Sequence, residues 1–252
     1  MATTSKQWSY IGKGSIYIGP KGSKALRPVG NASSLEIQAE QDEKRQSDYT
    51  SPGGGAANIV QRISSVSASM TMLELSPKNL ALAMRGEANE QSGGSSTTET
   101  ISSATPGSFV PLDSLPDTGE TITVTRTSDS TELTAGEDYI VDRAGLWLLE
   151  EPTNLSEGDE LEVSYTPALQ SVIQALISTG QEFRLYFNGL NEAQSGRKVA
   201  VDLHRVKFSP AESLPFIGDE FGEVQVSGEA LKDPSIQATD TSPYFKVHMA
   251  HE

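Results

Sequence analysis

The stretch RKVAVDLHRVKFSPAESLPFIGDEFGEVQVSGEALKDPS, Arg197 to Ser235, decides the fold. It reads as two strands, Val199 to Phe208 and Gly222 to Gly228, joined by a Pro-containing corner, and it carries almost no chemistry. Working outward, Ile63 to Leu75 places Val66, Ala68, Met70 and Met72 on one side and Ser65, Ser67, Ser69 and Thr71 on the other, the period-2 pattern of a half-buried strand. Ser76-Pro77 then supplies an N-cap followed by proline at the first helical position. Leu80, Ala83 and Met84 share one face until Gly86, which predicts a short amphipathic helix packed on a sheet. Gly14 to Gly19 and Ser34 to Ala39 alternate as two further strands, and Tyr244 to Met249 closes the β inventory of this part.

The chain has 252 residues, of which 36% are hydrophobic, with 22 Gly and 13 Pro, as expected of a soluble, turn-rich protein with one large β domain or two smaller ones. No apolar run approaches the ~20 residues of a membrane-spanning helix. MATTSKQWSYIGKG lacks the apolar stretch of a secretory signal, which predicts assembly in a cytoplasm. With no Cys there is no disulfide framework, thiol nucleophile or Cys-based metal site. The net charge is −15, and it is concentrated: Gly93 to Thr166 holds 15 acidic residues against Arg126 and Arg143. Such a balance argues against ordinary DNA binding, which draws on clustered Lys and Arg.

The acidic segment has its own strand set. Glu87 to Gly107 reads as a flexible Ser/Thr/Gly/Glu linker, after which Thr121 to Thr127, Tyr139 to Val141, Leu146 to Leu149 and the alternating Leu161, Val163 and Tyr165 suit a small Ig-like β-sandwich with Trp147 buried. The domain division is therefore 1–92 with 167–252 as a discontinuous core, and 93–166 as an inserted acidic domain. After Pro167 the residues Leu169, Val172, Ile173 and Leu176 fit either a helical face or a strand leading into Phe183 to Phe187; β-branching favours the strand. Gln41 to Arg62, QDEKRQSDYTSPGGGAANIVQR, reads as a long flexible loop, either a solvated hairpin tip or a segment with a task.

Several phrases in order resemble the bacteriophage major tail tube protein family: KGSIYIG, RPVGNASSLEI and ISSVSASMTMLELSPKNLALAMRG in the first part, HRVKFSPAESLPFIGDEF and GEALKDP in the last. The resemblance implies a mainly β fold, a β-sandwich or barrel core with one short α-helix, assembling as a homo-hexamer whose rings stack into a tube. It implies as partners a tape measure protein, a tail terminator, baseplate or tip proteins, and passing DNA that is not gripped, with the virion tail as location and no membrane. It also implies that the long loop reaches the next ring, so Asp42, Glu43, Lys44, Arg45, Asp48 and Tyr49 are the expected ring-stacking residues. The insertion is then expected to decorate the tube surface, where it would crowd a contractile sheath, so a non-contractile tail is favoured.

No catalytic or ligand chemistry is expected of the chain. Asp202, His204 and Ser209 could be imagined as a triad, but no local motif supports convergence. His248, His251 and Glu252 at the C-terminus make a poor metal set. The carboxylates Glu137, Asp138, Asp142, Glu150, Glu151, Glu157, Asp159 and Glu160 lack a calcium-loop pattern. Gly12-Lys13-Gly14-Ser15 lacks phosphate-loop spacing and reads as a turn, and Asn31-Ala32-Ser33 and Asn154-Leu155-Ser156, though glycosylation-like, also read as turns. The expectation is thus a structural protein, no enzyme, with no cofactor and no metal. Two other classes stay open: a two-domain β-sandwich adhesin or carbohydrate binder, which needs exposed aromatic platforms, and a β-sandwich glycosidase, which needs a spaced carboxylate pair.

Overall fold

The computed structural model describes residues 8–50, 52–178 and 180–251. In chain order its strands are β1 (Gly12–Pro20), β2 (Arg27–Gly30), β3 (Ala32–Ser47), β4 (Ala56–Met72), β5 (Glu87–Gln91), β6 (Thr97–Ile101), β7 (Phe109–Pro111), β8 (Thr123–Arg126) and β9 (Thr131–Glu132). They continue as β10 (Tyr139–Asp142), β11 (Gly145–Leu148), β12 (Leu161–Tyr165), β13 (Gln170–Gln174), β14 (Phe183–Asn191), β15 (Arg197–Phe208), β16 (Val224–Ala230) and β17 (Phe245–Met249). Among the described residues one helix, α1 (Pro77–Ala83), and a 3₁₀ turn at Glu192–Gln194 complete the inventory. The protein is mainly β, and its ladders are antiparallel. Among the described residues no helix is long and apolar enough to cross a membrane.

The chain divides into two compact units, Met1–Ala88 with Ile173–Glu252, and Asn89–Val172. The first is built on one antiparallel sheet in the order β2-β1-β14-β15-β16-β4-β3, with β17 as an extra partner of β15. β15 is the pivot. One edge pairs with β14 along most of its length, while the other is shared: Val199 to Leu203 pair with β17 and Val206 to Phe208 with β16. The end strands of the sheet, β2 and β3, are consecutive in sequence and separated only by Asn31, so the sheet must curl until its two ends meet. At that corner Gly30 has φ 93°, and a Cβ there would collide with the Glu74 carboxylate, which accepts a hydrogen bond from the Asn31 amide at 3.0 Å. The sheet stays open: among the described residues no ladder joins β3 to β1 or β2, so the core is a rolled sheet and not a closed barrel.

Inside the roll lie Ile16, Ile18, Leu185, Leu203, Val206, Val224, Val226 and the β4 row Val66, Ala68, Met70 and Met72. The four β4 residues are at most 2% exposed, as the alternation requires, and each of the larger ones contributes roughly 1.5–3 kcal/mol by leaving water. Helix α1 begins at Ser76, whose hydroxyl accepts from the Asn79 amide. It buries Asn79, Ala81, Leu82 and Ala83, a face rotated from the expected Leu80, Ala83 and Met84. The reason is Asn79: its amide donates to the Val29 and Glu74 carbonyls and its oxygen accepts from Arg27, so a buried side chain is fully satisfied and docks α1 on β2.

Asn89–Val172 is a two-layer β-sandwich with sheets β10-β11-β7 and β6-β12-β8-β9. Leu146, Leu148, Leu161, Val163, Tyr165, Val124 and Tyr139 fill the space between. Two sequence expectations fail here. The segment Glu87 to Gly107 is no free linker, since it forms β5 and β6; β6 pairs with β12 and β5 with β13. Trp147 is 44% exposed, because the strand phase buries Leu146 and Leu148 and turns Trp147 to the outer face. In the first unit β1 begins at Gly12, so the turn expected at Gly12-Lys13 is absent while the strand expected from Gly14 to Gly19 is present. The strand expected after Pro167 forms as β13, but ends before Leu176, which has φ 60°.

Asp138 holds this sandwich's loops. It is fully buried and accepts from the Thr134 amide (2.8 Å), the Asn154 amide (2.7 Å) and the Asn154 side chain (3.1 Å). Burial opposes its ionisation, but these donors and the Thr153 amide outweigh burial and hold the carboxyl below the usual aspartate range. A carboxylate with a depressed folded pKa stabilises above its unfolded pKa of about 3.9 and loses that contribution as pH falls through the lower folded value. Asp138→Ala should therefore cost about 2 kcal/mol near neutral pH by leaving buried amides unpaired. The deficit relative to wild type should shrink below about pH 4. Denaturant melts of both proteins at the two pH values check this.

Candidate assembly interface

β3 and β4 pair far beyond the core. Up to Ala39 and Val66 they belong to the rolled sheet; from Glu40 to Ser47 and from Ala56 to Ser64 every residue is exposed. The segment expected as a flexible loop is therefore an ordered two-stranded arm. At about 3.4 Å per residue it reaches on the order of 25 Å from the core. Only its tip is a loop. There the Asp48 carboxylate accepts from the Thr50 amide and hydroxyl, the Asp48 amide donates to the Gly55 carbonyl, and Gly53, Gly54 and Gly55 all have positive φ. Tyr49 stands at the tip, 93% exposed.

The arm carries the six residues expected at the ring-stacking surface. Asp42 lies opposite Arg62, Glu43 opposite Gln61, Lys44 opposite Val60 and Arg45 opposite Ile59. A Gln61 Nε2 to Glu43 Oε2 hydrogen bond of 3.0 Å ties one pair. A bulge at Ser64 interrupts β4 while β3 runs on. Because of it, one face of the arm holds Gln41, Glu43 and Arg45 with Ile59, Gln61 and Ile63, and the other holds Asp42 and Lys44 with Val60 and Arg62. Ile59, Val60 and Ile63 are each about half exposed, an apolar content that a two-stranded ribbon does not need for itself.

A second exposed surface escaped the sequence reading. The corner between β15 and β16 is anchored at its base by the Ser209 amide on the Ser227 carbonyl (2.8 Å), the Ala211 amide on the Ala83 carbonyl (2.7 Å), and by Leu214 and Ala211 against the core. Beyond Leu214 the chain leaves the protein. Phe216 is 76% exposed, Ile217 99% and Phe221 100%. Moving such side chains out of water is worth roughly 1.5–3 kcal/mol each, so their exposure on one short loop marks a contact surface. The signal was the string LPFI followed by Phe221 inside a corner, where polar residues are the rule.

The triad imagined from sequence is an ion cluster. Asp202, 1% exposed, accepts from Arg184 Nε at 2.9 Å and Nη2 at 2.8 Å, and Lys246 Nζ is 3.6 Å away. These residues tie β14, β15 and β17 together. Burial raises the Asp202 carboxyl, but the Arg184 hydrogen bonds and charge, with His204 and Lys246, overcome it and hold the pKa below the usual range. His204 Nδ1 lies 3.8 Å from Asp202, and burial pushes its pKa down. No hydrogen bond joins His204 to Ser209 among the described residues, so these two side chains are not paired as a triad requires. His251 packs edge-on against Trp8 at 5.9 Å, and Glu252 lies outside the described residues. Among the described residues no three His, Cys, Asp or Glu side chains converge on a metal position.

The chain belongs to a family described as "Protein of unknown function UCP028589", whose model matches residues 9–248. No curated protein matches it.

Removing the anion from the three-strand cluster leaves Arg184 partly buried without its partner. Asp202→Ala should destabilise the first unit by about 3 kcal/mol, near the lower end for a broken buried pair since Arg184 keeps some contact with water. Urea unfolding followed by a signal from this unit measures the loss; a midpoint equal to wild type refutes the role given to the cluster.

Proposed function

We propose that this chain is a structural virion protein whose subunits close into hexameric rings that stack as a phage tail tube, the conduit for DNA ejection. The observation that carries the reading is the β3–β4 arm: a rigid, exposed ribbon of mixed charge with an apolar stripe, long enough to leave its own subunit and lie against another. Open edges support it. Among the described residues β17 and β3 each present an unpaired strand edge, a ready template for pairing with another chain. A hook at one place and a receiving surface at another on the same subunit generate head-to-tail contacts, which close into rings. In this reading the tape measure protein fills the tube during assembly, terminator and tip proteins cap it, and an acidic chain lets DNA pass without phosphate contacts that would stall it.

The second unit is read as decoration on the tube's exterior. Its sheet β10-β11-β7 shows an outer row in which Trp147 has Phe109 and Ile140 as direct cross-strand neighbours, and all three are more than a third exposed. That aromatic row favours a second reading, in which this unit binds a glycan as an adhesin module does.

Electron microscopy of the purified protein is the primary test, with rings or tubes expected and uniformly dispersed monomers at high concentration counting against the reading. The double variant Ile59→Ser with Ile63→Ser should keep its unfolding free energy within about 0.5 kcal/mol of wild type, because both sites are exposed, yet yield rings that do not stack. A further variant with 93–166 replaced by a short Gly/Ser linker should still form tubes of smaller outer diameter. An unchanged outer radius with a wider lumen would place the second unit inside the channel.

A further inference from the structure

The open seam of the rolled sheet is a cleft of about 750 Å³ between β1 and β3. Tyr10, Ile16, Leu35, Ile37, Phe187 and Val201 supply the apolar part of its lining, beside the polar Asn31, Ser33 and Ser34. Gly12 and Gly14 leave the β1 side without side-chain bulk, and the β1 edge from Gly12 to Ser15 has no ladder partner on the cleft side among the described residues. The loop from Pro215 to Phe221 is the reciprocal shape. It is a narrow projection whose Phe216, Ile217 and Phe221 are almost wholly in water, and none of its backbone hydrogen-bonds to the rest of the chain among the described residues.

We propose that this loop is a latch that seats in the β1–β3 cleft of a neighbouring copy of the chain. The inference rests on the reading of the protein as a self-assembling ring subunit and names the contact that closes the ring. Volume favours this occupant, since the cleft lies in the range that admits a few large side chains and little more. Lys13 and Glu36 line the cleft and offset each other, so the contact requires the acidic Asp219 and Glu220 of the latch to lie on the Lys13 side, away from Glu36. Latch and cleft are different patches of the same unit, which makes the contact heterologous and able to propagate from one copy to the next. Seating the latch would cover the apolar seam and the unpaired β1 edge together.

The chain's lack of cysteine allows a clean cross-linking test. Ser33 lines the cleft and is exposed, and a side chain at Gly218 meets nothing within 4 Å, so Ser33→Cys with Gly218→Cys leaves both surfaces intact. Mild oxidation of the double variant should produce a ladder of covalent multimers on a non-reducing gel, while each single variant stops at a dimer or below. A fast-migrating cross-linked monomer would mean that the latch fills its own cleft and would overturn the proposal. So would the absence of any ladder from a sample that forms rings under the microscope. A ladder from a sample without rings would uphold the latch and instead refute the tube reading. Ile217→Ser with Phe221→Ser is the companion variant: both sites are solvent-exposed, so the melting temperature should not move while assembly is lost, and assembly equal to wild type refutes the latch.

Discussion

Everything in the first unit hangs on how the hydrogen-bonding edges of β15 are shared. A strand has two edges, and each buried donor or acceptor along them must find a partner. β15 meets this by giving one edge to β14 and dividing the other between β17 and β16, and at the place where the division falls the buried Asp202 collects Arg184 and Lys246 from the flanking strands. A twelve-residue strand with three partners cannot stay in one flat layer. The sheet therefore rolls, its ends are brought to Gly30 and Asn31, and the seam that remains is the β1–β3 cleft. Core, corner and seam are consequences of one strand's shared edge.

Much of this was legible in the sequence because buried strands write their phase in period 2. Val66 to Met72 and Leu161 to Tyr165 alternate without exception, and both rows are buried as read. Ser76-Pro77 announced α1 for a local reason, the capping of free amides, that needs no tertiary context. Phase failed where hydrophobicity is continuous. In Leu146-Trp147-Leu148 three large apolar residues follow one another, so alternation cannot say which is outside, and the cross-strand register with Ile140 and Phe109 decides it. Pairing failed to show where both faces are wet. Glu40 to Ser47 and Thr97 to Ile101 lack the apolar stripe that marks a strand, and they are strands because a partner's backbone lies alongside.

The candidate interface divides the same way. The charged run Asp42 to Arg45 and the glycines at the tip could be seen in the chain, but their placement on a rigid ribbon could not, since it depends on sixteen- and seventeen-residue strands pairing outside any core. The Phe216, Ile217 and Phe221 surface was hidden for the opposite reason. Apolar residues in a corner between two strands read as buried ones, and only their exposure in the folded unit shows that they are spare.

The bulge at Ser64 has a consequence for how such an arm can change. It works as a phase shifter: on its core side the even-numbered residues of β4 point inward, and on its far side the odd-numbered ones continue that face. The two halves of a single strand are thereby uncoupled, so the arm's chemistry can be re-dealt without touching the core. If the ladder instead ran on without the bulge, with Ser64 retained and paired to Gln41, Arg62 and Val60 would take the side now held by Ile63 and Ile59, leaving Val66 to Met72 in place. A substitution that abolishes the bulge at constant length could thus invert which side chains each face of the arm presents, a route by which related chains could acquire incompatible surfaces in one step.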